Sequence, residues 1–366
     1  MKILYFMDAM HFGGAAKKST TIANELSRRG HQVLFVTDTH YKIGYPLESA
    51  IHVIPLYDKG RNHSNRLTKF LNKLKRVGNI VSTEKPDVVI SVLPHVSFYV
   101  KIALLGKRIP IIFSDETSFA RKDSRFVHFI RHHFYNTADA VVVLTENDIR
   151  LLGKNIPKKV AIHNPVVCPP YKEDYESKEK TILAIGSLKE WDIKGFDLLF
   201  KAFMPIAKSF PEWKLAIAGD DREPYKAKVV EMIRETGLDG RVDLLGYRSD
   251  IFDLMAQSSV YALSSRIEGF SLALVEALSQ GCACVAFANH GVMEEVTCGG
   301  KGVLIVEDGD VDSFSYALKQ LMNDEILRKD MAKQGASCVN EYSLNAIVDK
   351  WEQLFKKLSC LSSYES

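Results

Sequence analysis

The sequence has little of several features that would each mark a particular class of protein. It contains six cysteines in 366 residues, with no CxxC pair. Neither a zinc site nor a disulfide framework is therefore predicted, and the thiols are expected to be reduced. No apolar run approaches the ~18 residues typical of a membrane span, and the apolar start before Asp8 is too short for a signal-peptide core. These absences predict a cytoplasmic protein.

Other absences concern function. No GxGxxG sequence is present, which disfavours a nicotinamide dehydrogenase. The net charge of +3 is small, and no DNA- or RNA-binding motif accompanies the basic residues. A nucleic-acid partner is therefore not expected. No internal repeat or low-complexity tract interrupts the chain.

Short apolar runs alternate with segments of helical composition along the whole chain. This alternation predicts parallel, doubly wound α/β sheets. The length of 366 residues exceeds that of a usual single domain, so two domains are expected. The expected strands lie at 2–7, 33–37, 87–93, 109–113, 140–144, 181–186, 213–218, 242–245, 260–263, 283–286 and 302–306.

One stretch, residues 264–278, organises the functional interpretation. Glu268 lies just before a predicted helix over 272–280, and Glu276 lies about two turns inside it. The free N–H groups of a helix beginning near Ser271 favour an anion such as phosphate. Two solvated glutamates are the alternative, but Glu276 sits within an apolar run, where an unpaired charge would be costly. We therefore expect Glu276 to have a partner.

The string E-G-F-S-L-A-L-V-E, followed by A-L-S-Q-G-C-A-C-V-A-F, closely resembles the E-x7-E signature of the retaining family 4 glycosyltransferases of the bacterial surface-glycan type. That resemblance implies the GT-B fold, with two Rossmann-like domains facing across a cleft. It implies an N-terminal acceptor-binding domain at 1–165, a linker at 166–180, a nucleotide-sugar-binding domain at 181–342 and a helix at 343–366 that crosses back to the first domain. The prolines and mixed charge of 166–180 independently favour a linker.

The resemblance also assigns roles to residues of the expected second domain and to the first glycine loop. Lys194, directly before a glycine at a helix start, would neutralise the departing diphosphate, although a solvated loop lysine is the alternative. Glu268 and Lys194 are expected to be catalytic, and Tyr247 and Arg248 to lie near the base. The full set of expected donor-binding residues is Gly13, Gly14, Ser187, Lys194, Tyr247, Arg248, Glu268, Gly269, Phe270, Ser271 and Glu276.

The chain departs from the family pattern at two places. Ser187 stands where many members have an arginine, so one phosphate-binding cation is either missing or supplied by Lys189 or Arg266. After the strand at 109–113 many relatives carry a histidine, whereas this chain has Asp115 and Glu116. Glu116 is expected to be catalytic by accepting a hydrogen bond from a sugar or acceptor hydroxyl, with a structural role as the alternative.

Basic residues are concentrated between positions 59 and 85, where Glu84 is the one acidic residue. Their spacing predicts an amphipathic helix with an apolar stripe of Leu67, Phe70, Leu71, Leu74 and Val81. The cationic face is either simply solvated or binds anionic lipid headgroups or an acceptor pyrophosphate. A second basic and aromatic stretch at 121–135 could extend it. The expected acceptor or membrane residues are His95, Arg66, Lys69, Lys73 and Arg76.

The sequence thus predicts a retaining transferase that moves a hexose or N-acetylhexosamine from a nucleotide-diphosphate sugar, with UDP preferred, to a lipid-linked or surface-polysaccharide acceptor. Peripheral contact with the inner face of the membrane would accompany a lipid-linked acceptor. No metal or other cofactor is expected, because lysine, the glycine loop and the helix N-terminus would carry the diphosphate charge. The alternatives are a nucleotide-sugar epimerase of the same fold and a non-catalytic relative that still binds the donor.

Overall fold

A computed structural model describes residues 1–11, 13–57, 65–120, 122–156, 158–170 and 174–364, with backbone alone over 361–364. Lys59, Arg61, Arg121 and part of the expected linker, 171–173, lie outside these residues. The chain forms two compact units. Unit 1 comprises 1–165 with 344–366, and unit 2 comprises 166–343.

Unit 1 contains a parallel seven-stranded sheet in the order β3-β2-β1-β4-β5-β6-β7. Buried strands of this kind read as near-continuous apolar runs, which is why most of them could be located in the sequence. Its elements are β1 (Lys2–Phe6), α1 (Gly14–Arg28), β2 (Gln32–Thr37), β3 (His52–Pro55), α2 (Arg66–Glu84), β4 (Val88–Val92), α3 (Pro94–Ala103), β5 (Ile111–Ser114), α4 (Arg125–Phe129), a π-helical turn (Ile130–Phe134), a 3-10 turn (Tyr135–Thr137), β6 (Ala140–Val143), α5 (Glu146–Leu152) and β7 (Lys159–Ala161).

Unit 2 contains a parallel six-stranded sheet in the order β10-β9-β8-β11-β12-β13. The strands alternate with helices that cover the sheet, as expected of a doubly wound domain. Its elements are β8 (Glu179–Ile185), a 3-10 turn (Leu188–Glu190), α6 (Phe196–Ala207), β9 (Lys214–Ala218), α7 (Tyr225–Glu235), β10 (Val242–Gly246), α8 (Ile251–Gln257), β11 (Ser258–Leu263), α9 (Leu272–Ser279), β12 (Ala283–Phe287), α10 (Val292–Val296), β13 (Val303–Val306), α11 (Val311–Asn323), α12 (Glu325–Val339) and a 3-10 turn (Asn340–Tyr342).

Two hydrophobic layers cover the sheet of unit 1. Ile3 and Tyr5 of β1 face a layer that includes α1, whereas Leu4 and Phe6 face the layer that includes α2 and α3. Successive side chains of a strand point to opposite faces, so a central strand contributes to both layers. The last helix, α13 (Leu344–Tyr364), belongs to the first layer and buries Trp351 there.

The predicted α/β fold with two parallel sheets is confirmed, but two strands were not predicted. These are β3 and β7, which form the two edges of the sheet of unit 1. Each is short and only partly buried, with His52, Pro55 and Val160 among its exposed residues. Edge strands therefore lack the continuous apolar run that identified the central strands.

The expectation of reduced cysteines was wrong for one pair. Cys298, just after α10, forms a disulfide with Cys338 near the end of α12, and their Cα atoms are 5.9 Å apart. The two cysteines are 40 positions apart and belong to no short motif. Disulfide formation depends on this spatial approach, which sequence spacing does not show. Cys282 and Cys284 are free thiols, buried in and beside β12 as the sequence indicated.

Replacing both cysteines of this pair with serine is expected to lower the free energy of unfolding of unit 2. Closing a loop of this length stabilises a protein by about 2–4 kcal/mol in the chain-entropy view. Thermal unfolding of wild type with and without reductant, beside Cys298→Ser/Cys338→Ser, measures the effect. Cys360→Ser serves as the control. An unchanged midpoint on reduction would contradict a stabilising disulfide.

Candidate functional site

Each sheet has one place where the direction of the strand order reverses, and ligands of doubly wound sheets bind beyond the carboxyl ends of the strands there. In unit 2 this switch point lies between β8 and β11. The loop at 186–195 follows β8 and the loop at 264–271 follows β11. Both stretches that the sequence singled out therefore meet at one edge of the sheet.

Lys194 and Glu268 are the central contact of this site. The Lys194 Nζ donates to Glu268 Oε1 over 2.9 Å, and the Glu268 side chain is 10% exposed. The lysine remains partly exposed, so one end of the pair is accessible to a ligand. A diphosphate that enters the site can displace Glu268 and form an ion pair with Lys194.

Three further contacts join the two loops. The Ser264 hydroxyl donates to the Lys194 carbonyl, and the Arg266 backbone N–H donates to the Ile193 carbonyl. Gly195 has a φ of +65°, and a Cβ built on it would lie 1.9 Å from the Ser264 carbonyl oxygen. Only glycine combines this backbone angle with such a close approach. A Cβ on Gly186 would also be crowded, although less severely, because it would lie 2.8 Å from the Lys194 side chain.

Gly195→Ala is expected to destabilise unit 2 by at least about 2 kcal/mol, because the left-handed backbone and the overlap with Ser264 both oppose a Cβ. Chemical denaturation measures this change. Gly237→Ala is the matched control, since Gly237 also has a positive φ but no atom lies within 4 Å of its added Cβ. Equal losses in the two variants would show that backbone angle alone, not the contact with Ser264, requires glycine at 195.

Helix α9 begins after Ser271, as the sequence predicted. Ser271 has a left-handed backbone with a φ of +53°, which is uncommon for a residue other than glycine and is concentrated at functional sites. Glu276 is 8% exposed within α9 and has an interaction partner, as its apolar surroundings required. Burial raises the pKa of the Tyr261 phenol, and the charges of Glu268 and Glu276 raise it further. The charges of Glu268 and Glu276 therefore both influence the buried Tyr261 phenol.

The Phe270 side chain is buried, and its expected part in donor binding stays a prediction. Phe270 is 2% exposed and packs edge to face against Tyr342, with ring centroids 5.1 Å apart. Because the Phe270 ring is buried, a contact between this residue and the donor would have to come from its backbone. Gly269, directly before it, is partly exposed.

The two candidates for the missing phosphate-binding cation differ. Arg266 forms two contacts with the Asp197 carboxylate, at 2.8 and 2.7 Å, and also donates to the Asp192 carbonyl. These contacts occupy its guanidinium, so the suggestion that Arg266 supplies the cation is not supported. Lys189 is exposed, and the Ser187 hydroxyl accepts from the Lys189 backbone N–H. Lys189 is therefore the better candidate.

The expected base contacts lie after β10. Tyr247 is 80% exposed, and Arg248 is paired with Asp250. Both roles stay predictions. The acidic pair Asp220-Asp221 forms ion pairs with Arg222 and Lys226. Within the described ranges, no three His, Cys, Asp or Glu residues are grouped so that they could hold a metal ion.

Unit 1 has its switch point between β1 and β4. Asp8, after β1, accepts from Lys73 of α2 at 3.0 Å and from the Tyr99 hydroxyl of α3 at 2.8 Å, and its other oxygen is 3.3 Å from His95 Nε2. Burial favours a raised pKa for Asp8, but hydrogen bonds from His95, Lys73 and Tyr99 outweigh it and lower the pKa to about 2. Two predicted residues, His95 and Lys73, thus meet at an aspartate that the sequence interpretation had not selected. We call this group the Asp8 cluster.

Glu116 is engaged in an internal ion pair. Its carboxylate is 3.0 Å from Lys18 Nζ and accepts from the Ser114 hydroxyl at 2.6 Å. The Lys18 and Glu116 side chains are 2% and 3% exposed. Asp115, the alternative at this position, is fully buried against Arg131 and Tyr135. The contacts of Glu116 fit the structural alternative, and its catalytic role stays a prediction.

Gly13 and Gly14 begin α1, where a Cβ on either would meet no described atom within 4 Å. The described fold itself therefore does not demand glycine there. The expectation that the loop faces donor phosphates stays a prediction.

The basic helix α2 differs from its predicted form in two respects. Leu67 and Leu71, expected on the buried stripe, are 66% and 54% exposed, whereas Phe70 and Leu74 of the same stripe pack partly against the core and full burial begins at Val77. Lys73, expected on the free cationic face, is bound to Asp8. Arg66 and Lys69 are exposed, and Arg76 donates to the Pro55 carbonyl. The N-terminal half of α2 thus presents apolar and basic side chains together.

No described helix has both the length and the apolar composition needed to cross a bilayer.

Asp8, Lys18 and Tyr99 are the polar residues that the sequence interpretation missed. Asp8 directly follows the first strand, and a polar residue at the carboxyl end of a central parallel strand is a general signal for a site. Lys18 and Tyr99 lie within helices and carry no comparable signal.

The fold and the two switch-point clusters define a two-domain α/β protein of the GT-B type. Residues 12–168 match the family model described as Glycosyltransferase Family 4, and residues 171–337 match the model described as Glycosyl transferases group 1. The two matches follow one another along the two halves of the chain. The chain belongs to the family 4 glycosyltransferases, which confirms the resemblance.

Curated relatives match along the whole chain. An uncharacterized glycosyltransferase of Haemophilus influenzae is 26% identical, with 95% of this chain and 98% of the relative covered. An α-1,4-N-acetyl-D-galactosaminyltransferase of Campylobacter jejuni that acts on an undecaprenol-diphosphate-linked glycan is 23% identical, with 98% and 99% covered.

Two solved structures show the same fold. Sucrose-phosphate synthase from Thermosynechococcus elongatus superposes with a TM-score of 0.82 at 16% identity, with 98% of this chain and 99% of that chain covered. HepE of Anabaena in complex with UDP superposes with a TM-score of 0.80 at 19% identity, with 98% and 100% covered. The protein is thus a glycosyltransferase with relatives in bacterial polysaccharide biosynthesis.

Proposed function

We propose that this protein transfers a hexose or N-acetylhexosamine from a UDP-sugar to a lipid-linked or surface-polysaccharide acceptor, with retention of the anomeric configuration. The observation that carries the proposal is the Lys194–Glu268 pair at the β8/β11 switch point, beside the N-terminus of α9. A cation and free helix N–H groups are together the chemistry that stabilises a departing diphosphate.

The donor is assigned to unit 2 from the contacts of its loops. The diphosphate lies at Lys194 and the α9 N-terminus, with Lys189 as a second cation. Glu268 binds sugar hydroxyls once the diphosphate has taken over Lys194. Glu276 binds the ribose hydroxyls. UDP is favoured because the similar HepE structure contains UDP.

Retention can arise from two displacements through a protein nucleophile or from front-side displacement without one. Glu268 is bound to Lys194, and Glu116 is bound to Lys18. We infer front-side displacement, in which the bond from the anomeric carbon to the leaving phosphate breaks as the acceptor oxygen bonds on the same face. The acceptor proton passes to the leaving phosphate oxygen. Lys194 balances the resulting charge, so the proposal requires no metal.

The acceptor is assigned to unit 1. The Asp8 cluster offers a carboxylate and the half-exposed His95 for acceptor hydroxyls. Arg66 and Lys69, beside the exposed Leu67 and Leu71, fit an acceptor with a lipid part or a membrane surface. The Campylobacter jejuni relative, which acts on a diphospho-undecaprenol-linked glycan, supports this acceptor class.

The test is incubation of the purified protein with a panel of UDP-, GDP- and ADP-sugars, with and without a polyprenyl-diphosphate-linked glycan. UDP release that depends on the acceptor supports the proposal, and the anomeric coupling constant of the product by NMR reports retention. Activity that persists in excess chelator supports metal independence. A new sugar epimer formed without acceptor would favour the epimerase, and donor binding without turnover would favour the non-catalytic relative.

A further inference from the structure

A pocket of about 470 Å³ lies beside α4 in unit 1. Phe119 and Leu151 form its apolar lining, and the polar side chains come from the loop before α4, from α4 itself and from the π-helical turn after it. It follows the carboxyl end of β5, whereas the Asp8 cluster follows β1 and β4. We call it the α4 pocket. It is separate from every residue that the proposed transfer reaction uses.

The α4 pocket has a surplus of positive charge. Lys122, Arg125, His128 and His132 line it, with Asp123 as the one acid. Asp123 accepts a hydrogen bond from the buried Arg131 at 2.8 Å, which offsets part of its negative charge. Arg131 also forms an ion pair with Asp115, and its guanidinium carbon lies 3.8 Å from the centre of the Phe119 ring. These contacts hold Arg131 in place, and Arg131 in turn holds Asp123. No described carboxylate forms an ion pair with any of the four lining cationic residues.

Two of these residues are histidines in direct contact. The rings of His128 and His132 have centroids 4.2 Å apart. Burial lowers the pKa of His132, and the neighbouring His128, His133 and Arg131 lower it further, against an opposing effect of Asp123. The neighbouring helices add no charge at these contacts. Leu151 of α5 lines the pocket, Phe98 of α3 contacts Phe126 of α4, and both side chains are apolar. Two adjacent imidazoles repel each other when both are charged, and a bound anion removes that repulsion.

We propose that the α4 pocket binds a phosphate group, and that the His128–His132 pair takes up a proton when it does so. Lys122 and Arg125 supply permanent charge, and the histidines supply hydrogen-bond donors that depend on pH. Phe126 and Phe129, on the same short helix, are 48% and 49% exposed. Apolar side chains at the edge of a phosphate site favour an amphiphilic phosphate ester over a free anion.

Inorganic sulfate is the first probe, because its charge is constant between about pH 5.5 and pH 8, where imidazole titrates. Histidine ring signals are followed by NMR during sulfate titrations of the full chain. We expect the His128 and His132 signals to shift. The affinity should fall by up to about tenfold per pH unit for each proton taken up, as the pH rises through the range in which imidazole loses its proton.

The variants separate the contributions of the pocket. His128→Gln/His132→Gln should remove the pH dependence and leave weaker, salt-sensitive binding. Arg125→Gln should weaken binding at every pH. Arg108→Gln makes the same charge change just before the amino end of β5, at the opposite edge of the sheet, and should bind sulfate as wild type does. All four side chains are exposed, so none of these changes threatens the core.

Vesicles identify the source of the phosphate. Phosphatidylcholine vesicles with and without phosphatidylglycerol are compared with inorganic pyrophosphate. Vesicle binding that Arg125→Gln weakens and Arg108→Gln does not would assign a lipid phosphate, and pyrophosphate binding alone would assign a free phosphate. No histidine shift with any anion, or equal losses in Arg125→Gln and Arg108→Gln, would overturn the proposal. Donor hydrolysis or transfer is not a readout here, so failure of this proposal and of the transfer reaction are distinguishable.

Discussion

Lys194→Ala is expected to lower kcat for sugar transfer by about 100- to 1,000-fold, the usual loss when a preorganised group that stabilises developing charge is removed. In the proposed reaction the bond to the leaving diphosphate breaks beside Lys194 Nζ. Without this cation, the negative charge of the leaving group is met by helix N–H groups and Lys189 alone. Acceptor-dependent UDP release at saturating donor measures the loss.

Two further variants test whether that loss of activity comes instead from a loss of stability. Removing the lysine leaves the Glu268 carboxylate, on a side chain 10% exposed, without its partner. This is expected to cost about 1–3 kcal/mol of stability. Lys194→Ala/Glu268→Gln removes the stranded charge and should recover stability without recovering kcat. Lys208→Ala, at the exposed C-terminal end of α6, should leave both unchanged.

An activity of Lys194→Ala within about threefold of wild type would show that this lysine stabilises the ground state of the loop and not the departing charge.

Glu276→Gln is expected to weaken donor binding by about 100-fold. The change keeps the shape of the side chain and removes its charge, and each hydrogen bond from a ribose hydroxyl to a carboxylate is worth about 1.5–3 kcal/mol. The loss should be similar for UDP and for the UDP-sugar, since the ribose is common to both. Isothermal titration calorimetry with the two ligands measures it.

The comparison between the two ligands makes this prediction specific. Glu268→Gln should weaken binding of the UDP-sugar more than binding of UDP, because Glu268 is assigned to the sugar. Glu231→Gln, on an exposed face of α7, is the matched control. Equal affinity of wild type and Glu276→Gln for UDP would remove Glu276 from the ribose site.

The sequence alone determined the fold class and the position of the candidate donor-site residues relative to their helix. Central parallel strands are buried on both faces, so β1, β4, β8 and β12 each read as an apolar run. The transition from strand to polar loop to apolar helix is local, and it located Glu268, Ser271 and Glu276 correctly relative to α9. Such a pattern can be recognised in the sequence because it extends over only about fifteen residues, roughly the length of one strand and one short helix.

Only the tertiary structure decided which charged groups pair. Lys194 meets Glu268 across 74 positions of sequence, and Asp8 meets Tyr99 across 91. Composition showed that Lys73 and Glu116 carry charge, but not that Asp8 and Lys18 neutralise them. The disulfide between Cys298 and Cys338 has the same origin, because it joins segments that approach only when α10 and α12 pack.

The exposed half of α2 illustrates the physical reason. Helical spacing fixes which side chains share a face, and it placed Leu67 and Leu71 on the same stripe as Val81. How far along the helix that stripe is covered depends on where neighbouring elements end, and here it is fully covered only in the C-terminal half. Periodicity is a property of the chain alone, whereas burial and ion pairing are properties of the packed domain.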